Sequence, residues 1–255
     1  MIDDMILAAK AGGAKAKEYF GQTLDLEQKS TIADFRTQAD LESEKAILVI
    51  LSEKFPEYNI FSEEAGLVEK KSEYTFVIDP LDGTNNFSLG IPNFTVSIGL
   101  LKNDICVAGV IYAPLLDLAY SAEEGKGAFC NGKHIAVNKE SSFENMTLSY
   151  TCGYTTPLQF EGLLLAKLRA LNIKRFLTNW SPAFDYCLLA LGKIEAVISN
   201  DNELYDYAAG KVIAREAGAV VTDFSGNIQN DKETSRFVIS NTQETHDQLI
   251  AILPR

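Results

Sequence analysis

The chain has 255 residues, 46% of them hydrophobic and 10% aromatic, which is ample for a sizeable core in one large domain or two intimate halves. Its formal net charge of -12 argues against a nucleic-acid groove and against anionic lipid, since both need basic patches. No apolar run approaches membrane-spanning length, and the first turn carries Asp3 and Asp4 where a secretory signal has a basic flank, so no signal peptide and a cytoplasmic location are expected. The four cysteines, Cys106, Cys130, Cys152 and Cys187, form no Cys-x-x-Cys pair, so buried free thiols are expected instead of zinc or disulfides. His134 and His246 are the only histidines, and neither lies at a metal-ligand spacing.

Residues 1–20 repeat apolar side chains at three- and four-residue steps, the signature of a helix. Residues 29–36 read as a strand and turn. Thr37 and Asp40 then form a capping box for a helix that runs through Lys54 and stops at Pro56. Residues 58–66 give a short strand ending in Glu63 and Glu64; adjacent side chains point to opposite faces, so at most one of the two acids serves a site. Phe76 to Ile78 is a short buried strand, and Pro80 is expected to end its pairing. From Phe94 to Val137, strands alternate with tight turns at Asn103-Asp104, Glu124-Gly125-Lys126 and Asn131-Gly132, an antiparallel meander in which His134 is structural. After about residue 140, strands and helices alternate: helices over 162–171, 183–191, 206–218 and 244–252, with strands between them, make an α/β half. The expected organisation is one domain over 1–255, with sub-halves of about 1–140 (helices plus antiparallel sheet) and 141–255.

Chemistry concentrates at Asp79-Pro80-Leu81-Asp82-Gly83-Thr84-Asn85-Asn86-Phe87. Two carboxylates stand at the end of a strand, Gly83 permits a tight turn, and Thr84, Asn85 and Asn86 cap a helix or offer backbone N–H groups. Carboxylates bind hard cations and free amides at a helix start bind phosphate, so the stretch has the chemistry of a Mg²⁺ and phosphate site. It resembles the first signature of the inositol monophosphatase family, Asp-Pro-(Leu/Ile)-Asp-Gly-Thr-x-Asn-Phe. Tyr205-Asp206-Tyr207-Ala208-Ala209-Gly210 resembles the family's second signature, with Tyr205 for its tryptophan and Asp206 at a helix N-terminus, a position that also favours an N-cap aspartate. Ser62-Glu63-Glu64 matches a Gly-Glu-Glu segment, with serine for glycine.

The resemblance implies a layered α–β–α–β–α sandwich and hydrolysis of a small phosphate monoester with two or three Mg²⁺ ions, sensitive to lithium. It implies that Glu63, Asp79 and the Leu81 carbonyl hold one ion and that Asp79, Asp82 and Asp206 hold a second. It also implies that Thr84, oriented by Asp40, positions a metal-activated water for in-line attack, while Gly83, Thr84, Ser181, Asp82 and Asp206 face the phosphate or substrate. A homodimer is expected on the same ground. Three departures bear on substrate. Ser199, seven residues before Asp206, replaces a glutamate that grips inositol hydroxyls. Trp180 stands where a small glycine is usual, although a lone tryptophan is by default a packing residue. Leu89 stands where a polar or basic residue is usual. The metal and phosphate half therefore reads as intact and the alcohol half as reshaped. Inositol phosphate, a sugar bisphosphate, histidinol phosphate, 3′-phosphoadenosine 5′-phosphate and NADP remain open, as does a binding or regulatory protein built on the same fold.

Overall fold

The computed structural model describes residues 1–228 and 230–254. Helix α1 (Ile2–Tyr19) buries Met5, Ala8, Ala9 and Ala16, as its apolar repeat requires. A small hairpin, β1 (Glu27–Gln28) and β2 (Phe35–Arg36), leads into α2 (Gln38–Lys54). The capping box is present: Ala39 N donates to Thr37 Oγ1 at 3.1 Å, and Thr37 N donates to Asp40 Oδ2 at 2.8 Å. Gly12 lets α1 lie close against α2, because a Cβ there would stand 2.7 Å from the Ile47 side chain.

The next elements are β3 (Asn59–Ser62), β4 (Gly66–Val68), β5 (Tyr74–Asp82), α3 (Thr84–Ser88), β6 (Thr95–Lys102), β7 (Ile105–Ala113), β8 (Leu118–Glu123), β9 (Ala128–Cys130) and β10 (Lys133–Ile135). They build an eight-stranded sheet in the order β10-β9-β8-β7-β6-β5-β3-β4. From β5 to β10 it is the expected antiparallel meander, and β3 joins β5 in parallel. Pro80 does not end the pairing. It interrupts the ladder: the register shifts between Asp79 and Asp82, after which Asp82 pairs with Thr95. The bulge lets both aspartates leave the same strand end without lying on opposite faces.

The second half comprises β11 (Thr147–Cys152), α4 (Leu158–Ala170), β12 (Arg175–Leu177), α5 (Pro182–Ala190), β13 (Ala196–Asn200), α6 (Leu204–Glu216), β14 (Val220–Asp223), β15 (Phe237–Ser240) and α7 (Gln243–Ile252). Its five strands run β12-β11-β13-β15-β14, parallel across the first three and antiparallel at β15. Two helices begin earlier than expected, α4 at Leu158 and α6 at Leu204.

Strand alternation sorts the core into layers. Phe76 and Ile78 pack with Met5, Ile47 and Leu51 of α1 and α2, whereas Val77 between them meets Val212 of α6. Ile111 and Tyr120 on the same face as Val77 meet Ala183, Cys187 and Ile213 of α5 and α6. On the smaller sheet, Val197 faces Tyr186 and Tyr207, while Ile198 faces Leu164, Leu168 and Leu249 of α4 and α7. The result is α1–α2, large sheet, α5–α6, small sheet, α4–α7: the α–β–α–β–α sandwich. All four cysteines are free thiols, Cys106 and Cys187 buried and the other two half-buried. The imidazole of His134 packs edge-on against Phe129. Among the described residues, no helix is long and apolar enough to cross a membrane.

Candidate metal and phosphate site

Strand β5 and the α6 N-terminus converge from opposite sides of the middle of the fold. Their side chains Asp79, Asp82 and Asp206 offer carboxylate oxygens that all lie within 4.8 Å of one another. Asp79 Oδ1 accepts from Leu81 N at 2.9 Å, which folds the chain over Pro80. Asp82 accepts from Thr95 Oγ1 at 3.0 Å and from Ser181 Oγ. Asp206 is not the N-cap of its helix; Glu203 is, and Asp206 in the first turn closes the capping box by accepting from Glu203 N at 2.9 Å. The carboxylate stays near the positive end of the helix, yet its other oxygen is left for the cleft.

Burial holds the Asp79 and Asp206 carboxyls well above the ordinary carboxylate range, and repulsion from their acidic neighbours adds to it. Burial likewise pushes Asp82 up to about 6, against the hydrogen bonds from Ser181 and Thr95 that favour its ionised form. Acids this close cannot all ionise without a counter-charge. An oxygen-only donor set of this kind fits a hard divalent cation.

Glu63 follows β3 and faces Asp79. Its Oε1 also accepts from Lys29 Nζ at 2.8 Å. Glu64 is not the solvated surface residue its position suggests. Its side chain is 1% accessible and is held by Lys29 and by Arg36 at 3.3 Å. Ser62, the departure from glycine, donates to Glu44 of α2, and the same carboxylate oxygen accepts from Glu64 N at 3.2 Å and Ala65 N at 2.9 Å. Glu44 thus fixes the turn that presents Glu63.

Thr84 Oγ1 lies 3.1 Å from Asp40 Oδ1 and 2.9 Å from the Leu81 carbonyl, between an acid and the backbone oxygen expected to ligate metal. A carbonyl has two lone pairs, so Leu81 retains one for a cation. Asp40 is buried, which pushes it up to about 6 despite the donors of Thr37 and Thr84. Gly83 sits at φ 89, and a Cβ there would come within 2.9 Å of the Asn93 carbonyl, so only glycine fits the turn.

The other expected site residues separate here. Ser181 is fully buried and donates to Asp82, so it holds that carboxylate in place. Ser199 is fully buried too, its hydroxyl accepting from Asn202 Nδ2 at 2.8 Å, and it lines no open cleft. Trp180 is no packing residue: it is 61% exposed and adopts φ 54, a left-handed conformation that costs a side-chain-bearing residue about 1–2 kcal/mol. Leu89 is 68% exposed. Sequence reasoning missed Lys29, Arg36, Tyr154 and Glu44. Only Glu44 left a legible signal, four residues after Asp40 and so on the same helix face.

An α–β–α–β–α sandwich whose acids gather where two sheet layers meet a central helix defines a class: folds that can place a divalent cation against a phosphate ester. The comparisons then identify the lineage. A model of the inositol monophosphatase family matches residues 2–255, and the chain belongs to that family. It is 33% identical over 235 residues to a fructose-1,6-bisphosphatase/inositol-1-monophosphatase of Thermotoga maritima, covering 92% of this chain and 88% of the other. It is 34% identical to the Nus factor SuhB of Pasteurella multocida over 86% of this chain and 83% of that one. The crystal structure of the extragenic suppressor protein SuhB from Bartonella henselae superposes with a TM-score of 0.92 at 30% identity, covering 99% and 98% of the two chains.

Proposed function

We propose that the protein is a Mg²⁺-dependent phosphomonoesterase that hydrolyses a small phosphorylated metabolite by direct attack of water. The observation that carries this reading is the convergence of Asp79, Asp82 and Asp206 within 4.8 Å, beside the Thr84 and Asp40 pair. Glu63, Asp79, the Leu81 carbonyl, Asp82 and Asp206 would hold two Mg²⁺ ions, with room in the reading for a third near Glu63. Bound there, such ions supply an acidified water and neutralise charge on the phosphate and the leaving oxygen. The chain's own residues do the rest. Thr84 keeps its proton and donates it in a hydrogen bond to Asp40, which turns an oxygen lone pair toward the attacking water and orients that water for in-line displacement. Gly83 and Thr84 would present backbone N–H groups to the phosphate oxygens, and the absence of a Cβ at Gly83 permits the left-handed turn, packed against Asn93 and Ser181, that aims them. Ser181 and Thr95 keep Asp82 fixed while this happens. His246 is occupied by Thr222 and Ser240, and Cys106 and Cys187 are buried, which favours direct hydrolysis over a phospho-enzyme.

An inositol monophosphate-type ester is the leading substrate, with fructose 1,6-bisphosphate, histidinol phosphate, 3′-phosphoadenosine 5′-phosphate and NADP as alternatives. Lithium inhibition and a homodimer in the cytoplasm belong to the same reading. The test is phosphate release across that panel with and without Mg²⁺, with Asp82→Asn as control. Absence of Mg²⁺-dependent release from every ester overturns the reading. A second reading, a binding or regulatory protein on the same fold, draws support from relatives named Nus factor. A stoichiometric macromolecular partner recovered together with negligible turnover would favour it.

A further inference from the structure

Trp180 departs from every local preference of its position. Its φ of 54 is one that glycine adopts freely and a bulky aromatic residue resists. Its indole is 61% exposed and makes no ring contact among the described residues. Local strain of this kind persists only where the surroundings over-determine it, and here they do. On one side, the Asn179 carbonyl accepts from Asn86 Nδ2 at 2.7 Å and from Asn93 Nδ2 at 3.2 Å, while Asn179 Nδ2 donates to Asp185 at 2.6 Å. On the other, Ser181 donates to Asp82 and packs against Gly83, whose Cβ, if present, would lie 3.1 Å from that of Ser181. The backbone under the indole is therefore pinned, one residue from a side chain that touches both the acid cluster and the phosphate turn.

A second exposed aromatic residue is tied to the same helix. Tyr154 follows β11, is 56% exposed, and accepts from Asn85 Nδ2 of α3 at 3.1 Å, next to the Asn86 that holds the carbonyl before Trp180. Burial, and after it the charges of Asp206 and Glu63, make its hydroxyl hold its proton more tightly than usual. Two exposed aromatic residues are thus anchored through neighbouring asparagines of α3, beside the turn that carries Gly83 and Thr84. Ser199, which stands where the resembling family has a glutamate that grips polyol hydroxyls, is buried against Asn202.

We propose that Trp180 is a specificity-determining residue: an exposed aromatic platform on a pinned backbone, on which a flat ring in the alcohol portion of the substrate stacks while its phosphate lies over the acid cluster. The inference rests on the phosphomonoesterase reading and deepens it. The preferred class is a phosphate monoester of an alcohol that carries an aromatic ring, such as a nucleoside. Stacking needs a π-face and a fixed partner and tolerates variation in the ring's edge groups.

The test uses two non-hydrolysable probes of similar size, phenylphosphonate and cyclohexylphosphonate, on the Mg²⁺-loaded protein at about pH 9, where both are mainly dianions. Their P–C bonds remove any difference in leaving group, so binding alone is read. Trp180 is the only tryptophan in the chain, so its fluorescence reports this position without labelling. The flat probe is expected to bind about fivefold tighter by calorimetry and to quench the indole, while the puckered probe leaves it nearly unquenched. Trp180→Gly, which relieves the backbone, should abolish the selectivity, and Trp180→Phe should retain most of it. Equal affinities in the wild type, or selectivity that survives Trp180→Gly, overturns the proposal while Mg²⁺-dependent phosphate release leaves the parent reading standing. A Trp180→Gly protein that loses a subunit in light scattering but keeps its selectivity also overturns it, since the indole would then be a contact between copies. If the wild type releases phosphate from no ester at all, the parent reading falls and this inference falls with it.

Discussion

The acid wall and the alcohol wall of the cleft are built on different principles. Asp79, Asp82, Asp40 and Ser181 are all buried, and each carboxylate accepts from a named donor: Asp79 from the Leu81 amide of its own strand, Asp82 from Thr95 and Ser181, and Asp40 from Thr37 and Thr84. Trp180, Tyr154 and Leu89, assigned to the alcohol side on the proposed reading, are each more than half exposed. Buried charge must be matched group by group, because an unmatched partner costs several kcal/mol. An exposed aromatic face carries no such requirement. The acid wall can therefore change little without loss of the fold or the cation, whereas an exposed position such as 180 can exchange glycine for tryptophan at modest cost.

The sharpest way to break this contrast is to alter the acid wall where the charge is shared. Asp82→Asn should lower Mg²⁺-dependent turnover by about 10³-fold, because the lost charge is one the cation site needs. The same variant should melt no lower than wild type in the absence of metal, since it also removes repulsion from Asp79 and Asp206. Calorimetry with and without Mg²⁺ checks both halves, and a variant that keeps full turnover would show that the cluster is not the metal site. Asp40→Asn should cost about 10²-fold in kcat with little change in KM, because Thr84 then loses the acceptor that orients it.

At position 199, which the family resemblance assigns to the alcohol side, Ser199→Glu tests whether a family-like grip can simply be restored. Position 199 is fully buried, so the new carboxylate would lack a counter-charge and destabilise the fold by about 3 kcal/mol. No gain in inositol phosphate hydrolysis is expected. Denaturant titration and steady-state assays read the two effects, and a stable variant with improved turnover would place Ser199 in the cleft after all. Between the walls, Glu44→Gln weakens the three hydrogen bonds that shape the Glu63 turn and should reduce Mg²⁺ affinity about tenfold while leaving the melting temperature nearly unchanged.

The smallest effect is a dependence of metal-free stability on pH. Asp40 and Asp82 are held at about 6 and Glu63 at about 7, above their unfolded values near 4. The folded state then binds more protons than the unfolded state, so stability is highest below pH 4 to 5 on this account and is lost as pH rises through about 6 to 7. With a chelator present, the melting temperature should fall by several degrees between pH 5 and pH 8, and Mg²⁺ should flatten the slope. A slope of the opposite sign would mean that these carboxylates are already matched without a cation.

The meander turns at Asn103-Asp104 and Asn131-Gly132, the Thr37 and Asp40 cap, and the alternation after residue 140 were all legible in the chain, because each rests on neighbours within a few residues. Asp79, Asp82 and Asp206 were legible as candidates because two short motifs carry them. Their chemical surroundings were not. The ladder that resumes past Pro80, the ion pairs of Glu64, the burial of Ser199 and the exposure of Trp180 depend on partners tens of residues distant. Local sequence determined which segments form strands and helices and which acids stand near their ends, since hydrogen-bond periodicity and capping are short-range. Only the tertiary structure decided which of those acids share one buried volume and which side chains border it, because burial, and with it proton affinity and access, is a property of the packed layers.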